Sequence, residues 1–403
     1  MKLPSLAPLL VAVTSISSAA LPAPFHLRVE GLLEAVAVIS EPTPRFSFLH
    51  GADLAPQSFG VTQASYRITV AAADDTAAAQ EVWDSGYVNS SNCSQIVYAG
   101  KALAPFTRYT WSAGWTSSAG HTSALATAKF ETGPLAASDW QGAGWLRGCI
   151  LDPPVHWASC LTDGDTGAKG QFRNEFSVPA GKKVRFARAY VAAAGCAHIE
   201  VNGGIPKPDL RGICPWPVTT SSVRYVTHDI TPLIVPGTNA LGMVAGSAMK
   251  APQAVLLVAI VYEGESSPAF ALSSSTAGWM ATKAYVTATA WDSTVDWTKQ
   301  EAGWSTTAFT PGASWSATNA TVPGEKDAVS ARALAMPLST VLDEVKPSSV
   351  LKTSDGGYLY SFPKNFVGTI QFKPLPSAAS GSNLTVLLVR CTTIASVREA
   401  SFG

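Results

Sequence analysis

The chain is poor in charge. Asp, Glu, Lys and Arg make up 14% of its 403 residues, well below the ~25% usual for soluble domains. Acidic and basic residues balance, 28 against 28. No net field therefore steers it toward nucleic acid or an anionic membrane, and neither is expected as a partner. No run after the N-terminal leader reaches the ~18 apolar residues that a membrane span needs. Ala254–Tyr262, AVLLVAIVY, reads instead as one buried strand. Amphipathic helical runs are missing as well, which argues against a helical barrel. Histidines are few and scattered singly, so none reads as part of a ligand set. Cysteine is scarce too: Cys93, Cys149, Cys160, Cys196, Cys214 and Cys391. Their spacing fits no metal motif and leaves the pairing open, although Cys149 with Cys160 and Cys196 with Cys214 are close enough in sequence to staple loops. No cofactor is expected.

What is present points outward from the cell. Met1 to Ala20 reads as a secretory leader, with Lys2 at the start, Leu9–Val13 as an apolar centre and Ser18-Ala19-Ala20 as a small-residue cleavage site. Four Asn-x-Ser/Thr sequons, at Asn89, Asn92, Asn319 and Asn383, agree with export as a secreted, glycosylated protein.

The length suits two to three domains of ~100–200 residues each. All of them read as β. Residues 24–133 hold short alternating runs at Arg45–Phe48, Ala64–Val70 and Val82–Asp84. The segment Leu103-x-Pro105-x-Thr107-x-Tyr109 resembles the fibronectin type III signature. It implies that the Tyr109 hydroxyl ties a corner to the backbone. Residues 139–325 form a second domain. In it, runs around Val184–Val191 and His198–Val201 are broken by Pro179-Ala180-Gly181, Asn202-Gly203-Gly204 and Pro236-Gly237. Asn202-Gly203 predicts a hairpin. Residues 331–403 carry strand-like runs at Leu351–Phe372 and Leu384–Val389, a small share of a sandwich that reads as cut short. The fold class is therefore all-β, a series of β-sandwiches.

The order of the landmarks carries a family resemblance. Pro44-Arg45-Phe46-Ser47-Phe48, Trp83-Asp84-Ser85-Gly86, Tyr109-x-Trp111, Phe130-Glu131-Thr132-Gly133, Phe172-Arg173-x-Glu175-Phe176, Ala187-Arg188-x-Tyr190-Val191, Val201-Asn202-Gly203, Tyr225-Val226-Thr227-x-Asp229-Ile230-Thr231, Asn239-Ala240-Leu241-Gly242, Gly303-Trp304 and Asn365-Phe366-Val367-Gly368 follow one another. In this order the chain resembles α-L-rhamnosidases of glycoside hydrolase family 78. The resemblance implies a fibronectin-like module, a jelly roll and the start of a concanavalin-like β-domain, ahead of an (α/α)6 barrel that carries catalysis. It implies a rhamnose-containing glycoside or polysaccharide as partner. The chain departs from the family at Gly246-Ser247-Ala248-Met249, where two aromatics are usual, and at Pro363, where glycine is usual.

Inverting glycoside hydrolysis needs two carboxylates about 6.5–9.5 Å apart. The family's Asp-Cys-Pro-Gln-Arg-Asp-Glu-like stretch does not occur in these 403 residues. No catalytic residue is therefore assigned. Asp163 and Asp165 have the spacing of a calcium loop but lack its remaining ligands, and they read as an acidic turn. Asp292 and Asp296 flank Trp291 and Trp297, a pattern of core aromatics beside solvated carboxylates. For sugar contact the best candidates are Asn202, Asp209 and Trp216, an amide, a carboxylate and an aromatic face on one long loop. The reading is thus a non-catalytic N-terminal part of a secreted α-L-rhamnosidase-like hydrolase. A stand-alone carbohydrate-binding sandwich is the alternative.

Overall fold

The computed structural model describes residues 21–33, 38–51, 60–73, 80–147, 168–193, 196–207, 224–246, 253–288, 293–295, 301–318, 320–321, 331–334, 343–354, 356–364, 385–390 and 395–400. Among these there is no α-helix, and the chain divides into two compact units, Met1–Leu135 and Ala136–Gly403.

The first unit holds β1 (Phe25–Val29), β2 (Leu32–Leu33), β3 (Val38–Ile39), β4 (Arg45–Leu49), β5 (Gln63–Ala72), β6 (Gln80–Asp84), β7 (Val88–Asn89), β8 (Ile96–Val97), β9 (Arg108–Ser117) and β10 (Ala126–Thr132). They form two sheets, β2-β1-β4-β8 and β3-β10-β9-β5-β6, with β7 also on β5. Pairing is antiparallel except between β3 and β10. The period-2 pattern does the sorting. In β9, Tyr109, Trp111, Ala113 and Trp115 all point inward and are buried. Tyr109, Trp111 and Ala113 share a core with Phe46 and Phe48 of β4, Ile68 and Val70 of β5, and Phe130 of β10. At ~25 cal/mol per Å2 of apolar area, such aromatics dominate the stability of a sandwich this size.

The second unit holds β11 (Trp145–Arg147), β12 (Ala168–Val178), β13 (Val184–Ala193), β14 (Cys196–Val201), β15 (Arg224–Asp229), β16 (Gly237–Gly246), β17 (Gln253–Tyr262), β18 (Ala269–Ser273), β19 (Met280–Ala288), β20 (Ser293–Val295), β21 (Ser316–Ala317), β22 (Ala320–Thr321) and β23 (Arg332–Ala333). One sheet runs β22-β11-β17-β13-β15-β23 with β18 on β17. The other runs β14-β16-β12-β19-β20 with β21 on β19. Between them pack Phe172 and Phe176, Ala187, Ala189 and Val191, Ile199 and Val201, Leu241 and Met243, and Leu256, Val258 and Ile260. Strand β17 is buried on both faces from Ala254 to Tyr262. That is why its sequence is a continuous apolar run and not an alternating one. A further four-stranded sheet follows, in the order β24 (Ser349–Lys352), β25 (Tyr358–Ser361), β27 (Ala395–Ala400), β26 (Thr385–Arg390).

The hairpin expected at Asn202-Gly203 is not formed. The turn is there, with Val201 and Gly204 exchanging both backbone hydrogen bonds at 2.8 Å. The chain then leaves the sheet: β14 pairs β16, whereas the next strand, β15, pairs β13 in the opposite sheet. Pro179-Ala180-Gly181 likewise joins strands of different sheets, β12 and β13. Turn chemistry fixes the local reversal; burial of the Ile199 and Tyr225 faces decides where the strands go.

Candidate functional site

Asn202 is the one described residue of the three named for sugar contact. Asp209 and Trp216 lie outside the described residues, as do Asp163, Asp165, Asp292 and Asp296. Asn202 sits at φ +52°, the left-handed conformation that Asn tolerates, and Gly203 follows at φ +78°. Its amide is fully engaged by the protein. Nδ2 donates to Leu233 O (2.9 Å) and to Asn239 Oδ1 (2.8 Å). Its Oδ1 accepts the Ala240 N–H at 2.9 Å. Asn239, wholly buried, continues the network by donating to Val235 O and Gly237 O and accepting from Val235 N–H. Asn202 therefore locks the turn to the start of β16 and has no donor left for a ligand.

Beside this turn the segment 301–318 is clamped onto the outer face of β12 and β16. The buried Arg173 donates from Nε to Trp304 O (3.0 Å) and from Nη2 to Thr306 O (2.8 Å), and it pairs with Glu175. Its guanidinium lies 5.7 Å from the Phe309 ring centroid. The Ser305 hydroxyl donates to Glu200 Oε2 at 2.6 Å, and Gly203 N–H donates to Ser305 O. The Trp304 ring lies over Gly242, where a Cβ would come within 2.5 Å of Cη2 and Cζ3. Trp315 stacks behind Trp304 at 6.3 Å and donates its Nε1–H to Glu301. Thus Phe172-Arg173-x-Glu175, Val201-Asn202-Gly203, Asn239–Gly242 and Gly303-Trp304, far apart in sequence, are one constellation.

A second constellation lies on the other sheet. Arg188 Nη1 donates to Asp229 Oδ1 (2.6 Å) and to Ala187 O (3.1 Å). Asp229 Oδ1 in turn accepts from Thr231 N–H and from the Thr231 hydroxyl, while Thr231 Oγ1 accepts Ala187 N–H. Tyr190, Tyr225 and Trp140 pack edge to face nearby. Burial holds the Tyr225 phenol well above its ordinary pKa, with Tyr190 and Asp139 adding to the effect.

In the first unit the motifs are equally structural. Tyr109 accepts the Ala104 N–H and stacks on Phe130 at 5.2 Å. Asp84 pairs with Arg67 at 2.6 Å and accepts the Gly86 N–H. The Arg67 hydrogen bond keeps the Asp84 carboxyl below its ordinary pKa, against a partial opposing effect of burial. Among the described residues no three His, Cys, Asp or Glu side chains gather as a metal would require. No helix there is long and apolar enough to cross a membrane. Sequence reasoning missed Arg173 as a hub; it looks like an ordinary strand residue until its partners arrive from a distant segment.

Comparison with known proteins gives the class first. Residues 24–136 match the family model described as the Rha78A-like, N-terminal immunoglobulin domain. That description differs in name from the fibronectin type III reading, but both are two-sheet antiparallel sandwiches. The chain is 26% identical over 381 residues to an α-L-rhamnosidase of Formosa agariphila, covering 83% of this chain and 37% of that protein. Its fold is that of solved α-L-rhamnosidases. The one from Dictyoglumus thermophilum aligns over 86% of this chain and 39% of its own, at TM-score 0.66 and 22% identity. The one from Aspergillus terreus aligns over 84% of this chain and 38% of its own, at TM-score 0.65 and 19% identity. The particular resemblance is thus to α-L-rhamnosidases of glycoside hydrolase family 78, in sequence and in fold. The chain spans about two fifths of the length of these relatives.

Proposed function

We propose that these 403 residues are the non-catalytic N-terminal β-modules of an exported α-L-rhamnosidase-like protein, whose whole form removes terminal α-L-rhamnose from glycosides or polysaccharides. The observation that supports this most is the use made of the shared motifs. Arg173, Asn202, Gly242 and Trp304 build one clamp, Arg188, Asp229 and Thr231 another. Motif residues with these roles hold a scaffold and do not present a reacting pair of carboxylates.

Contact with a rhamnose-containing ligand from the loop after Asn202 falls, in this reading, to Asp209 and Trp216, because the Asn202 amide is engaged in its turn. Titration calorimetry of the secreted chain with L-rhamnose tests this. Saturable heat that D209A and W216A abolish supports it. Saturable heat that both variants keep removes the loop from the reading, and no heat leaves a scaffold without its own sugar site. Export, read from residues 1–20, is tested by N-terminal sequencing of the secreted product: a mature end near Leu21 supports it, and retention of Met1 contradicts it.

A further inference from the structure

The connection between β7 and β8, residues 90–95, is held more firmly than a surface loop usually is. It runs from a strand on the six-stranded sheet to one on the four-stranded sheet of the first unit. Gln63, itself buried, donates from Nε2 to both Ser90 O (2.8 Å) and Asn92 O (2.9 Å), while its Oε1 is bonded to His50 Nε2 at 2.6 Å. Ser90 N–H donates to Ala64 O, Phe48 N–H donates to Cys93 O, and Gln95 N–H donates to Ser47 Oγ. The loop is therefore stapled to both sheets. At its centre Asn92 is exposed. Its Oδ1 accepts the Ser94 N–H at 3.1 Å, and its backbone N–H donates to Ser90 Oγ at 3.0 Å. One amide oxygen is thus anchored and the amide nitrogen is left outward, in the sequon Asn92-Cys93-Ser94. Asn89 opens a second sequon, but it lies in the ladder of β7, paired with Ser65.

The surroundings give a reason for a modification here. Among the described residues strand β8 ends its sheet, beside β4. It carries Val97, 59% exposed, and β4 carries Leu49, 49% exposed. A bare edge with exposed apolar side chains invites pairing with another chain. A bulky hydrophilic group fixed on the rigid loop next to that edge would block it.

We propose that Asn92 is an N-glycosylation site, and that its glycan shields the β8 edge. In the transfer, Asn92 Nδ2 attacks C1 of the first sugar of a lipid-linked diphosphate oligosaccharide. The N–C bond forms, the C–O bond to the diphosphate breaks, the lipid diphosphate leaves, and Nδ2 gives up one proton. The site needs entry into a secretory compartment, so the test separates the two questions. The full chain is translated with microsomes, once with its own first 20 residues and once behind an unrelated cleavable leader. Gel shifts removable by peptide N-glycosidase are counted for the wild type, N89Q and N92Q. Behind the unrelated leader, N92Q is expected to lose one shift and N89Q none. An N92Q chain that keeps every shift overturns the site. Shifts seen only with the unrelated leader refute export by the native leader and leave the Asn92 assignment standing. Enzymatic removal of the glycan from secreted chain is expected to raise light scattering on concentration; unchanged scattering overturns the shielding role.

Discussion

The Tyr109 hydroxyl accepts the backbone N–H of Ala104 at 2.9 Å, and Tyr109 is buried against Phe130. A side chain five residues on thus satisfies a corner amide that the sheets leave unpaired. Thr107 supports the same corner by donating its hydroxyl to Pro105 O. Y109F keeps the ring and removes the acceptor, leaving a part-buried N–H without a partner. It is expected to lower unfolding free energy by about 1–2 kcal/mol, with an unchanged denaturant dependence. A loss below ~0.3 kcal/mol in urea titrations would show that the hydrogen bond is dispensable.

Gly242 exists for Trp304. An added Cβ would meet the indole at 2.5 Å and Ser305 Cβ at 2.8 Å. G242A is expected to cost about 1–3 kcal/mol by overpacking and to shift tryptophan fluorescence as the ring is pushed off. Made on a W304L background, G242A should cost less than it does in the wild type. Full additivity of the two changes would break the link.

Asn202 supplies two donors and one acceptor to its turn. N202D keeps the acceptor for Ala240 N–H but turns a carboxylate toward Leu233 O and Asn239 Oδ1. A loss of about 2–4 kcal/mol is expected for such repulsion among part-buried acceptors. N202G keeps the left-handed backbone and should be the milder change. Thermal unfolding of the two variants side by side decides: an N202G chain as stable as the wild type would mean that the amide contributes nothing beyond conformation.

Asp84 gives the first unit an acid-sensitive pair. Its pKa is held below the ordinary carboxylate value, chiefly by the Arg67 hydrogen bond. Its contribution is present above the unfolded carboxylate pKa of ~3.9 and is lost as pH falls through the lower folded value. The pair is largely exposed, so solvent screening keeps the contribution small. Urea midpoints measured from pH 7 down to pH 3 should fall more steeply for the wild type than for D84N. Parallel curves would contradict the assignment.

Tyr225 behaves in the opposite range. Burial raises its folded pKa, so stability is intact below the unfolded phenol value of ~10 and declines as pH rises above it. Y225F should blunt the alkaline loss of stability, read as the change in unfolding midpoint between pH 8 and pH 11. An identical alkaline decline in Y225F would place the titration elsewhere.

Much of this architecture was legible before any coordinates. The apolar run Ala254–Tyr262 had to be a strand covered on both faces, and it is β17. The spacing Leu103-x-Pro105-x-Thr107-x-Tyr109 carried its corner hydrogen bond in the sequence itself, because donor and acceptor are local. The hairpin at Asn202-Gly203 failed for the converse reason. Residues 201–204 encode a reversal, but which sheet receives the next strand depends on the burial of faces far away. The clamp of Arg173 on Trp304 joins residues 131 apart and has no local signature. The sugar-contact reading of Asn202 rested on residue type alone; its partners show how completely a polar side chain on a loop can be engaged by the fold.

The central claim is that these 403 residues scaffold and do not hydrolyse. Release of the aryl group from an aryl α-L-rhamnoside by the purified chain measures it most directly. The account predicts no turnover above the uncatalysed rate. Turnover that co-purifies with the chain through further fractionation would contradict it and return attention to Asp163, Asp165, Asp292 and Asp296.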